Sequence, residues 1–135
     1  MGITIKLEFD KCVFEERKKR FLSLFDRYFQ VNDKVKKGKI SEGDLTLEFW
    51  KVTLPKWFVQ FSDSNINYSE DVWELDSWLY AMDNRPWNWW SYWVENNILY
   101  LELQVHGHPY TVETVIYVAD VLNANKIDVL ENYHF

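Results

Sequence analysis

The sequence predicts an α+β fold, a single domain over residues 1–135 in which a mostly antiparallel sheet carries about three helices. Three observations predict it. Several short segments alternate apolar and polar residues, as half-buried strands do. Other stretches repeat apolar residues at spacings of three and four, the period of a helix face. An Asn-Asn pair also sits between two strand-like runs, where a tight hairpin turn belongs. A chain of this length can bury a core without disulfides or metals, and the single cysteine, Cys12, cannot form an intramolecular disulfide.

Each element follows in order. Residues 3–9, ITIKLEF, alternate and predict a strand. Residues 13–29 turn helical, with Phe14, Phe21, Phe25 and Tyr28 near one face, although Lys18 falls on the same stripe. The run NDKVKKGK (32–39) predicts a polar loop. Residues 44–54 alternate again as a strand, Pro55 interrupts, and residues 56–61 resume as a second strand. Turn chemistry fills 62–67. Ser69 then predicts an N-cap, with Glu70 and Asp71 in the first turn and Val72, Leu75, Leu79 and Met82 as the core stripe. DNRP (83–86) stops this helix. A hairpin around Asn96-Asn97 comes next, then a helix over 111–125 and a last strand over 126–135.

Charge is uneven along the chain. Through Lys39 there are 11 Lys/Arg against 6 Asp/Glu, a net of +5; from Ile40 onward 4 stand against 15, a net of −11. All eight tryptophans lie between Trp50 and Trp93, inside the acidic part. Such a surface repels phosphate and argues against nucleic acid as a partner, while a cationic partner fits. The basic run ERKKR (16–20) reads as one solvated helix face. No stretch approaches the apolar length of a membrane span, and no leader pattern opens the chain, so a cytoplasmic protein is expected.

A two-residue turn at Asn96-Asn97 fixes the hairpin register and predicts two unlike faces. Trp90, Tyr92 and Val94 with Leu99, Leu101, Leu103 and Val105 make an apolar core face. Trp87, Trp89, Ser91, Trp93 and Glu95 with Ile98, Tyr100, Glu102, Gln104 and His106 make a mixed one. Aromatic rings among carboxylates suit a half-wet binding surface better than a dry core, because an unpaired buried Glu102 would be costly. The helix from Glu70 adds Trp73, Glu74, Asp76, Ser77 and Asp83. From Ser62 to Asp83 there are six acids and no Lys or Arg.

Tests for chemistry return little. His106 and His108 could form half of a metal site, but no third ligand is evident, and two exposed turn histidines are the simpler reading. Cys12 reads as a half-buried structural residue. GxSxG, HExxH, Walker and dinucleotide patterns are absent, so no catalytic residue and no cofactor is assigned. Glu95 and Glu102 beside Trp93 and Tyr100 would suit sugar binding or glycoside hydrolysis. That alternative predicts a concave pocket lined by Trp87, Trp89 and Trp93.

The helix WELDSWLYAM followed by WNWWSYWVENNILYLELQVH, within residues 69–106, resembles the helix and hairpin of some bacterial immunity proteins of the contact-dependent growth inhibition type. The resemblance is one of class and carries no family residue onto this chain. It implies a non-enzymatic cytoplasmic protein that neutralises a cognate toxin domain, a nuclease for example, by stoichiometric occlusion. The acids and rings at Glu70, Trp73, Glu74, Asp76, Ser77, Asp83, Trp87, Trp89, Trp93 and Glu102 would then meet a basic toxin surface. The basic N-terminal and acidic remaining parts are also compatible with a homodimer.

Overall fold

The computed structural model describes residues 1–65 and 72–132. In chain order it contains β1 (Gly2–Glu8), α1 (Phe14–Lys36), α2 (Leu47–Thr53), α3 (Lys56–Asn65), α4 (Leu75–Asp83), β2 (Trp87–Glu95), β3 (Ile98–Val105), α5 (Glu113–Val121) and β4 (Lys126–Asn132), with a 3-10 turn at Glu42–Asp44. The α+β class stands. Among the described residues there are five α-helices where the sequence predicts about three. The chain groups into two compact units, residues 1–19 with 81–135, and residues 20–80.

The first unit holds a four-stranded antiparallel sheet in the order β2-β3-β1-β4. Ile3, Ile5 and Leu7 on β1 stand directly opposite Leu103, Leu101 and Leu99 on β3, and all six are fully buried. Each such side chain stabilises the fold by about 1.5–3 kcal/mol through burial, so these two strands anchor the sheet. The opposite face carries Thr4, Lys6, Tyr100 and Glu102. In α5, Val115, Val118 and Ala119 are buried. Asn123 ends that segment in the left-handed region, φ 59°, which asparagine tolerates better than most residues.

Asn96 and Asn97 have φ 51° and 63°, the type I′ turn that the Asn-Asn pair predicts. Val94 faces Leu99 and Trp93 faces Tyr100, also as predicted. Further from the turn the register slips. Ser91 pairs with Glu102 and Trp89 with Leu103, which leaves Trp90 as the extra residue of a β-bulge. Because side chains alternate with period two, one inserted residue moves everything beyond it to the other face. Trp87 and Trp89 therefore join the core-facing set opposite Val105 and Leu103, and the mixed face loses both.

The second unit is built around aromatic rings. Trp78 receives Phe58 at 4.9 Å, Tyr28 at 5.9 Å and Phe25 at 6.0 Å between ring centroids, all tilted or edge-on, and Tyr28 stacks on Trp50 at 5.3 Å. These edge-to-face contacts match ring edges to ring faces and add to the burial energy. Phe25, Tyr28, Phe58, Trp50 and Trp78 are all buried.

Two strands predicted over residues 44–54 and 56–61 are helices, α2 and α3. Local bonds decide this. Thr46 Oγ1 accepts from the Phe49 N–H at 3.1 Å, an N-cap, and Thr53 Oγ1 donates to the Phe49 carbonyl. Leu54 precedes a proline and stays extended, ending α2, and the Pro55 carbonyl then accepts from Phe58 and Val59 to open α3. The buried positions Trp50, Leu54, Phe58 and Ser62 are each four apart, a helical spacing that the Leu45-Leu47-Phe49 alternation masked.

Helix α1 runs past the predicted end at Phe29 to Lys36, through residues expected in the polar loop. Val31 continues the buried stripe, and Gly38 at φ 73° ends the helix. Lys39 N–H reaches the Lys34 carbonyl and Gly38 N–H the Val35 carbonyl, the two bonds of a Schellman motif. Lys18 tolerates its place on the stripe by lying over the Phe14 ring at 5.7 Å and pairing with Glu15 at 2.9 Å.

Candidate functional site

Of the side chains assigned to partner binding, Trp87 is buried, and Trp89 and Trp93 lie on opposite faces of β2. Glu70 lies outside the described residues, as do Ser69 and Asp71. Helix α4 begins at Leu75, with the Glu74 carbonyl accepting from the Trp78 N–H at 3.1 Å. Trp73 therefore precedes the helix and is half-buried, where the sequence predicts an exposed ring on it. Val72 likewise falls ahead of the helix and outside its stripe, which is Leu75, Trp78, Leu79 and Met82.

Trp87 is 1% exposed and belongs to the core; Trp89 is half-buried on the same face. Both are corrections to the predicted surface, and the bulge at Trp90 is their cause. Trp93 faces the other way with Tyr100, so the concave pocket lined by Trp87, Trp89 and Trp93 is not formed. Trp90, Tyr92 and Val94, predicted as core, are 60%, 51% and 40% exposed. They sit on β2, which among the described residues is an edge strand paired with β3. Cys12, predicted half-buried, is exposed and free.

What remains of the mixed face is compact. Trp93 lies parallel to Tyr100 with centroids 5.1 Å apart, and Lys6 Nζ stands 5.6 Å from the Tyr100 ring. Ser91 Oγ donates to Glu102 at 3.3 Å, so the carboxylate has the partner that its half-burial requires. Neighbours on the strands thus already use these polar groups.

The acidic surface of the second unit differs. Asp76, Ser77 and Tyr80 share one exposed face of α4 at helical spacing, and Tyr80 is 73% exposed. Asp83 continues that face at the helix end. Beside it opens a cleft of about 210 Å³. Leu47 and Lys51 of α2 and Ser62 of α3 line one part of it, and Asp63, Glu74, Leu75 and Asp76 the rest. Lys51 reaches Glu48 on its own helix at 3.8 Å. Three carboxylates against one lysine leave the lining net negative.

Elsewhere the basic run is spent locally. Arg17 pairs with Glu16, Lys18 with Glu15, and Arg20 lies over Trp57 at 6.0 Å. His106 and His108 are exposed, and among the described residues no three of His, Cys, Asp and Glu stand together as a metal site would require. No helix among those residues is long and apolar enough to cross a membrane. Sequence reasoning missed Asp63, Tyr80 and Ser62 as site residues. Once α3 is read as a helix, Ser62 and Asp63 fall four residues after the buried Phe58 and Val59, while Tyr80 follows Asp76 by four on the exposed face of α4.

Compared with protein-family models, with curated proteins and with solved structures, the chain matches none.

Proposed function

We propose that this protein is a binding partner without catalytic activity that docks a basic protein on the acidic surface of α3 and α4. The observation that carries the reading is the grouping of Asp63, Glu74 and Asp76 around a cleft beside the exposed Tyr80 ring. Carboxylates there steer a cationic protein toward the surface and speed encounter. Tyrosine supplies apolar area with a hydroxyl and loses little entropy on docking, as interface anchors do. The class that best unites these features is a cytoplasmic immunity protein, which neutralises a toxin domain by covering its basic substrate surface one to one.

Capture on the immobilised full chain, repeated with a Glu74→Lys, Asp76→Lys, Tyr80→Ala variant shown by circular dichroism to fold, tests this. The expected result is a basic protein that, once purified, binds the wild type one to one by calorimetry, more weakly at high salt, and fails to bind the variant. A partner retained by the variant, or an acidic partner, overturns the reading. Protection of cells from the captured protein's toxicity then separates an immunity protein from another kind of regulator.

A further inference from the structure

The cleft beside α4 contains a group that a plain acidic surface does not need. Ser62 lines it, is only 3% exposed, and its Oγ has no hydrogen-bond partner among the described residues. A serine inside a helix usually returns its hydroxyl to the carbonyl one turn back or turns it to water. A buried hydroxyl doing neither is costly, and such orphans mark places where a ligand or water belongs.

The groups around Ser62 specify what fits. Asp63, Glu74 and Asp76 offer carboxylate acceptors, and Leu47 and Leu75 offer apolar wall. Lys51 is drawn toward Glu48 on its own helix. Apolar wall together with carboxylate acceptors is the complement of a long basic side chain, whose methylenes want apolar contact while its cationic end wants carboxylates. A volume of about 210 Å³ suits one such side chain and is too small for a folded element.

We propose that the cleft is a socket for a single basic side chain of the partner, its cationic end held by Asp63, Glu74 and Asp76 and by the lone pairs of Ser62 Oγ. This rests on the docking reading above and names the contact at its centre. Lysine and arginine share the required chemistry. The partner would lose most affinity on losing that one residue, as interfaces with a buried charged anchor do.

The test is a titration of the isotopically labelled full chain, followed by amide NMR, with the N-acetyl methylamides of lysine, arginine and the uncharged norleucine, and with inorganic phosphate. The proposal expects saturable shifts confined to amides near Leu47, Ser62, Asp63 and Leu75 for lysine, arginine or both, the tighter binder identifying the head group. Asp63→Asn with Asp76→Asn should weaken that binding about tenfold or more, and Ser62→Ala by about tenfold, since hydrogen bonds to charged groups are stronger than neutral ones. Shifts that do not saturate, equal shifts with norleucine or phosphate, or undiminished binding by the double variant overturn it. A captured partner that binds the Ser62→Ala, Asp63→Asn chain undiminished also overturns the socket, yet leaves the docking surface standing. Saturable cation binding with no basic partner captured does the reverse.

Discussion

Trp93 and Tyr100 lie ring over ring across the β2–β3 hairpin, 3° from parallel with centroids 5.1 Å apart, in the position next but two from the turn. Lys6 on β1 completes the row over the tyrosine. Cross-strand aromatic pairs of this kind hold the register of a hairpin against slippage. A double-mutant cycle of Trp93→Ala and Tyr100→Ala, read by urea denaturation, should give a coupling of about 0.5–1 kcal/mol. A coupling indistinguishable from zero would mean that the stack follows the register without supporting it.

The bulge makes a sharper prediction. Trp90→Ala removes an exposed ring and should change stability by less than about 1 kcal/mol. Deleting Trp90 removes the extra residue and leaves Trp89 opposite Leu103 and Trp87 opposite Val105, now in plain alternation. No core ring changes face, so the expected loss stays within about 1–2 kcal/mol. Denaturant midpoints of the two proteins should therefore lie close together, and a loss of about 3–5 kcal/mol on deletion alone would show that the bulge itself is needed to hold Trp87 in the core.

Trp78 is the hub of the aromatic cluster, and its replacement should be the costliest single change in residues 20–80. Trp78→Ala should lose about 3–5 kcal/mol, a large share of the 5–15 kcal/mol that domains possess. Trp78→Phe keeps a ring in the site and should lose less. Thermal unfolding of both variants beside the wild type would check the order.

Asp33 titrates below its ordinary carboxylate value of 3.8, chiefly because its side chain accepts a hydrogen bond from Lys37, with the charges of Lys37, Lys36 and Lys39 adding to it. The sign follows from the direction. A folded-state pKa below the unfolded one makes the contribution fully present above 3.8, and it is lost as pH falls through the folded value. The pair is exposed, so the effect should show as fraying of the last turn of α1 at acid pH. Carboxyl NMR should place the Asp33 midpoint below 3.8 in the wild type and nearer that value in Lys37→Ala.

Ser62→Ala removes an orphaned buried hydroxyl and should leave the free protein as stable or more stable. A fall in melting temperature would mean that the hydroxyl already has a structural partner.

The sequence by itself determined the features that local geometry sets. Asn96-Asn97 prescribed a type I′ turn because both residues accept positive φ, and that turn fixed the pairing of Val94 with Leu99 and Trp93 with Tyr100. Ile3, Ile5 and Leu7 announced a strand with one buried face. Phe21, Phe25 and Tyr28 announced the buried stripe of α1. Tertiary structure decided the rest. Short apolar runs such as residues 45–49 satisfy both periods, and only the cap at Thr46 and the burial of Trp50 and Leu54 made them helical. No local signal marks Trp90 as a bulge. It was the gain from burying Trp87 on the core face that outweighed one unpaired strand position, and that choice removed two tryptophans from the surface. The cleft lies further still from the sequence, because Ser62, Glu74 and Leu47 meet only after three helices have packed.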